Sequence, residues 1–185
     1  AFFSTIAEGI YWAADNGAKV VNISYAVQNS ISVQNAANYL RTKGGLVVNS
    51  AGNTSALDAT LANGSLISVS ATTIDDVKAS WSSFGNYVDV AAPGAGIWTT
   101  ARGGGYAAVS GTSFASPVTA GVVALMMSAN PALKPTELEN ILKSTTIELN
   151  KAGNDQQFDT SRINATAAVK KTKRKPSNKN TKENN

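Results

Sequence analysis

The sequence predicts a three-layer α/β fold in which a mostly parallel sheet is covered by helices on both faces. Two observations predict it: stripes of apolar residues at helical spacing alternate with short, nearly continuous apolar runs, and glycine punctuates the joins. The first stripe is Ile6, Ile10 and Ala13, with Thr5 and Glu8 expected as its capping pair and Gly17 as its stop. Val20 to Ser24 then reads as a buried strand. Val33, Ala36, Ala37 and Leu40 follow the i, i+3, i+4, i+7 template of a second helix, which Gly44 and Gly45 end before a strand over Leu46 to Ser50. Together these form a βαβ unit. Leu66 to Ala71 and Tyr87 to Ala91 read as further strands, and an apolar helix follows Gly111 through Ser128. Pro135 opens another helix, with Thr136 and Glu139 as its expected cap pair, and a short helix over Ile163 to Val169 closes the fold.

The chain has 185 residues, 43% of them hydrophobic, enough for the core of one domain. The longest apolar run, Ala120 to Met127, is far short of the roughly 18 to 20 residues a membrane span requires. There is no cysteine, which excludes disulfides and thiol chemistry. The net charge of +4 is unevenly spread, because residues 170–185 hold seven basic residues and one acid, leaving residues 1–169 mildly acidic. This division predicts a folded domain over 1–169 and a disordered Lys- and Asn-rich tail over 170–185, read as a solvated linker rather than a site for a polyanion such as a cell wall polymer or nucleic acid. Gly103-Gly104-Gly105 lacks the lysine and helix of a phosphate loop, and Trp12, Trp81 and Trp98 are too dispersed for a stacking platform and are expected in the core.

Gly111-Thr112-Ser113-Phe114-Ala115-Ser116-Pro117 carries the strongest chemical signal. A serine at the first turn of a buried helix meets unpaired N–H groups and the positive end of the helix dipole, which favours developing negative charge. That is half of an acyl-transfer site. A serine nucleophile also needs a base, and the chain contains no histidine.

These residues resemble the nucleophile signature of the subtilisin-like serine proteases, with Ser113 in the nucleophile position. Lys19-Val20-Val21-Asn22-Ile23-Ser24 resembles the strand before the family's substrate cleft, and Val47-Val48-Asn49-Ser50-Ala51-Gly52-Asn53 the strand and loop bearing its oxyanion-hole asparagine. Asp89-Val90-Ala91-Ala92-Pro93-Gly94 and Arg162-Ile163-Asn164-Ala165 match two further landmarks in order. The family's triad runs Asp, His, Ser along the chain. The resemblance therefore implies that residues 1–169 are the C-terminal portion of a catalytic domain, truncated at its N-terminus and inactive without an upstream Asp and His. An α/β-hydrolase is disfavoured, since its histidine would follow the serine and its elbow needs glycine where this chain has Ala115.

By the same resemblance Ser113 and Asn53 are the catalytic residues, the Asn53 amide and the Ser113 N–H holding the oxyanion. Ser24, Tyr25 and Ala26 form one edge of the cleft, Ser50, Ala51 and Gly52 the other, with Thr112 beside them. Tyr25 and Ala26 stand where Leu and Gly are usual, and the segment 59–64 lacks the common pattern beside the primary pocket, so side-chain preference is open. The resemblance implies peptide or protein substrates, a pro-peptide inhibitor and a secreted setting. It also raises a structural calcium ion, for which Asp75 and Asp76 are the candidates against the reading of a solvated turn. The other functional reading is a catalytically dead module kept for binding or scaffolding.

Overall fold

A computed structural model describes residues 2–60, 62–149 and 161–174. Four strands, β1 (Val20–Ile23), β2 (Leu46–Ser50), β3 (Leu66–Thr72) and β4 (Val90–Pro93), form one parallel sheet in the order β1-β2-β3-β4. Helices α1 (Phe3–Asp15) and α2 (Ile31–Thr42) cover one face, while α3 (Thr112–Ala129), α4 (Pro135–Ser144) and α5 (Ala165–Arg174) pack on the other side. The predicted three-layer α/β class is therefore the observed one. The pleat of β2 explains how the layers share it: Leu46 and Val48 join the α3 side of the core and Val47 the α1–α2 side.

Helix α3 is the spine of the second layer, with Ala115, Val122, Val123 and Met126 buried against the sheet. It is long and apolar enough to cross a membrane by length and composition, yet it packs on β1, β2, β3 and β4 as a core helix. Arg162 and Ile163 extend the sheet side of this layer, since the Ile163 N–H donates to the Ala91 carbonyl at 2.9 Å. One element was not anticipated. β5 (Ile97–Thr100) and β6 (Tyr106–Val109) make an antiparallel hairpin turned by Gly103, Gly104 and Gly105, all at positive φ, which is what the glycine run is for.

Several local expectations are corrected. Helix α1 begins at Phe3, so Thr5 and Glu8 lie inside it and no side chain caps it. In α4 the Glu137 carboxylate, not Glu139, reaches back to accept the Lys134 N–H at 3.0 Å. The strand expected over Tyr87 to Ala91 starts later, because Val88 is held in a turn by the Gly85 carbonyl and Tyr87 is buried beside Ala51. Trp12 and Trp98 are largely exposed, and only Trp81 packs on the core. Helix α5 runs beyond Val169 to Arg174, where the buried Thr172 hydroxyl donates to the Ala168 carbonyl at 2.8 Å. The rest of the expected tail, 175–185, lies outside the described residues.

Candidate active site

Because the strands are parallel, the loops after β1 and β2 leave the sheet on the same side, and ligands of such sheets bind beyond those carboxyl ends. Ser24, Tyr25 and Ala26 follow β1, while Ala51, Gly52 and Asn53 follow Ser50 at the end of β2. The start of α3 meets both. All these residues are thus drawn to one end of the sheet, and hydrogen bonds tie several together.

Thr112 is the keystone. Fully buried, its N–H and its hydroxyl both donate to Asn53 Oδ1, at 3.0 and 2.8 Å, and its Oγ1 accepts the Gly52 N–H at 3.2 Å. A backbone N–H can only donate, so these bonds fix which end of the Asn53 amide is oxygen. Asn53 Nδ2 is left with no acceptor among the described residues. The Ser113 N–H, in the first turn of α3, likewise has none among them. A Cβ added at Gly111 would stand 3.6 Å from Asn53 Nδ2, so the bare backbone keeps that side of the amide clear. Gly52 takes a φ of +112°, and a side chain there would also press on Ser83 Oγ at 3.1 Å.

A second set of bonds joins α3 to β1. Pro117 has no N–H, so the Ser113 carbonyl, four residues earlier, lacks its helical donor. The Ser24 hydroxyl supplies one at 2.9 Å, and the Ser113 hydroxyl in turn donates to the Ser24 carbonyl at 3.2 Å. Asn22 Nδ2 donates to Ser24 Oγ at 3.1 Å, while Asn22 Oδ1 accepts from Ser116 Oγ at 2.6 Å. Asn22 and Ser116 were not singled out as site residues. The available signal was an asparagine interrupting the otherwise apolar run of β1.

The remaining cleft residues are positioned differently. Ala51 is pinned from below by Tyr87, whose buried hydroxyl donates to the Ala51 carbonyl at 2.9 Å. Burial, and secondarily the negative charge of Asp58, pushes the Tyr87 phenol pKa up, so it stays a neutral donor. The loop beyond Asn53 is tied down by Ser83, which accepts the Thr54 N–H at 3.1 Å. Asp58 holds the next turn, its carboxyl kept below the usual range by the Thr60 hydroxyl and N–H and by Gln28. Tyr25 projects to solvent, 58% exposed.

No ionisable group takes part in the web of Asn22, Ser24, Gly52, Asn53, Thr112, Ser113 and Ser116. Such a site offers neutral donors and a hydroxyl, suited to a charge that develops during reaction. The calcium candidates do not fit a cation. The Asp76 carboxylate is taken by the Arg162 guanidinium at 2.6 Å, and no cluster of three potential ligands from His, Cys, Asp or Glu exists among the described residues.

A parallel sheet that brings a serine at a helix start and an asparagine from the loop after a neighbouring strand to one end defines a layered α/β protein. Residues 3–179 match the subtilase family, the serine proteases to which this chain belongs. It is 38% identical over 172 residues to alkaline elastase YaB of Bacillus sp. (strain YaB), covering 90% of this chain and 44% of that protein. Subtilisin Savinase of Lederbergia lenta is 35% identical over 172 residues, covering 90% of this chain and 62% of that protein. A protease of Pseudoalteromonas arctica shares the fold with a TM-score of 0.78 at 30% identity, covering 93% of this chain and 59% of that one. The chain thus spans about half the length of the curated relatives it matches.

Proposed function

We propose that this chain is the nucleophile-bearing part of a serine endopeptidase. The single observation that carries the reading is the Thr112–Asn53 pair, which turns an amide N–H₂ outward beside the first turn of α3 with nothing to donate to among the described residues. In this reading the Ser113 hydroxyl attacks a peptide carbonyl. The oxyanion forms between Asn53 Nδ2 and the Ser113 N–H, which stabilise it more than the ground-state carbonyl. The peptide C–N bond then breaks, the amine leaves with the proton that a base took from Ser113, and water hydrolyses the resulting acyl-enzyme. Substrate would lie as an added strand between Ser24-Tyr25-Ala26 and Ser50-Ala51-Gly52.

The proton of Ser113 needs a base, and with no histidine in the chain the hydroxyl rests on the Ser24 carbonyl instead. We assign the base and its orienting acid to a His and an Asp in polypeptide preceding Ala1. Two surfaces support this. β1 is an edge of the sheet with one side unpaired among the described residues, and α3 exposes Pro117, Val118, Gly121 and Leu125 along one face beside it. A scaffold without catalysis would need neither an outward amide nor a serine at this helix start. The name of one relative, the extracellular protease of Xanthomonas campestris pv. campestris, supports an extracellular setting, and a pro-peptide inhibitor would occupy the same cleft.

The test is labelling by a fluorophosphonate. A protein that joins this chain to a segment supplying Asp and His should be labelled stoichiometrically at Ser113 and lose both labelling and peptidase activity as Ser113→Ala. The chain by itself should show neither. Robust cleavage by the chain alone, abolished by Ser113→Ala, would overturn the assignment of the base.

A further inference from the structure

At the end of the sheet away from Ser113, a cavity of about 640 Å³ opens between the last turn of α2, the last turns of α3 and the start of α4. Met127, one of its lining residues, lies fourteen residues along α3 from Ser113, about 21 Å of helix. Lys19, Arg41, Lys43 and Lys134 line the cavity, and among the described residues no carboxylate does. Its apolar surface comes from Met127, Pro131 and Leu133.

The charges do not cancel locally. Lys43 is matched by Asp15 at 2.6 Å and Arg41 by Glu139 at 2.8 Å, both acids lying outside the lining. Lys19 is spent on a neutral acceptor, donating to the Lys43 carbonyl at 2.6 Å, and has no carboxylate partner among the described residues; nor has Lys134. The Glu137 carboxylate, at the same helix start, accepts the Lys134 N–H at 3.0 Å. Positive charge is left over among the lining residues.

Two donors on lining residues lack a hydrogen-bond partner among the described residues. Arg41 Nε is buried without a hydrogen-bond partner among the described residues, an arrangement that favours supply of an acceptor. The Thr136 N–H, in the first turn of α4 after Pro135, also has no acceptor among them. A cavity of this size with apolar lining residues and a few polar groups among them has the form of a small-molecule site.

We propose that this cavity binds an amphiphilic monoanion, a single carboxylate-type head group carried on a hydrocarbon body. The head would sit between Lys19, Lys134 and the Thr136 N–H, and the body on Met127, Pro131 and Leu133. The site lies outside the catalytic reading and does not depend on it.

Decanoate is the probe, titrated into the intact protein below its micelle concentration and followed by calorimetry and amide chemical shifts. Saturable binding is expected, with shifts confined to the ends of α2, α3 and α4. Affinity should fall at least about tenfold in Lys19→Gln/Lys134→Gln, and separately in Leu133→Ser. Inorganic phosphate, a head group alone, and decanol, a tail alone, should each bind at least about tenfold more weakly. Ser113→Ala should bind decanoate as the parent does. The proposal fails if decanoate binding is non-saturable, if its shifts map elsewhere, if the lysine pair is without effect, or if phosphate binds as tightly. Should a variant not fold, the shift map and the phosphate and decanol comparisons on the parent protein decide alone.

Discussion

The two ends of the parallel sheet are built on opposite electrostatic plans. At the carboxyl ends of β1 and β2, every bond in the web around Ser113 and Asn53 is between neutral groups. At the amino end, Arg41, Glu139, Lys143 and Asp89 form a chain of ion pairs, with Lys143 reaching Asp89 at 2.6 Å and Glu139 at 2.8 Å. A fixed counter-ion is already satisfied before any reaction begins, whereas an oriented neutral dipole with nothing to bond is held ready for charge that appears later. On the proposed reading, the difference separates geometry kept for chemistry from charge kept for stability.

The sharpest way to break the comparison is at Asn53. In the protein completed with its Asp and His, Asn53→Ala should lower kcat about 10²- to 10³-fold with little change in KM. That magnitude is the one established for the corresponding donor of subtilisin and is carried over from it. A raised KM with kcat unchanged would make Asn53 a binding residue and the neutral web a mere cleft wall.

Thr112→Val tests whether the web acts through position. It removes a hydroxyl that serves both Asn53 and Gly52, so a loss of about 1–3 kcal/mol in stability is expected. With the amide less firmly aimed, kcat should also fall roughly ten- to a hundredfold, since small misplacements at a reacting centre carry large costs. A stability loss with kcat intact would show that Asn53 aims itself, while Thr112→Ser, keeping the hydroxyl, should restore kcat.

The smallest effect belongs to the charged end and is read in pH. Burial pushes the Asp89 carboxyl up, with Lys143 and the Ser68 N–H opposing, and the burial effect prevails. Burial pulls Lys143 down, but Asp89 and Glu139 outweigh it and its pKa is raised. A carboxyl whose folded pKa is raised loses stability as pH rises through the unfolded value toward the folded one. Lys143→Met removes the group that limits that rise. The variant should therefore match the parent in acid and fall behind it by about 1 kcal/mol as pH climbs to neutrality, a modest figure because the lysine is partly solvated. Urea denaturation across pH measures it. A constant difference at all pH values would mean that Asp89 does not feel Lys143.

Much of the fold was legible because its signals are local. The stripe Val33, Ala36, Ala37, Leu40 and the run Leu46 to Ser50 are periodicities that any burial against a partner would enforce, and both elements fall where they were read. The elements that slipped had signals that tertiary contacts override. Tyr87 and Val88 have strand propensity, but the Gly85 turn and burial against Ala51 delay the strand to Val90. The exposed hairpin of β5 and β6 has no core-facing stripe by which to announce itself.

The sequence by itself determined the class of fold and the family, and it singled out Ser113 and Asn53 as the candidates for the site, since these rest on residue type in chain order. It also determined that no histidine is present to serve them. Only the tertiary structure decided that Thr112 orients the Asn53 amide, that Ser24 supplies the hydrogen bond Pro117 withholds from the Ser113 carbonyl, and that Asp76 belongs to Arg162. Each of those joins residues from 59 to 89 positions apart. A hydrogen bond requires two groups within about 3 Å and aligned, and that condition is met by the packing of α3 on the sheet rather than by any pattern along the chain.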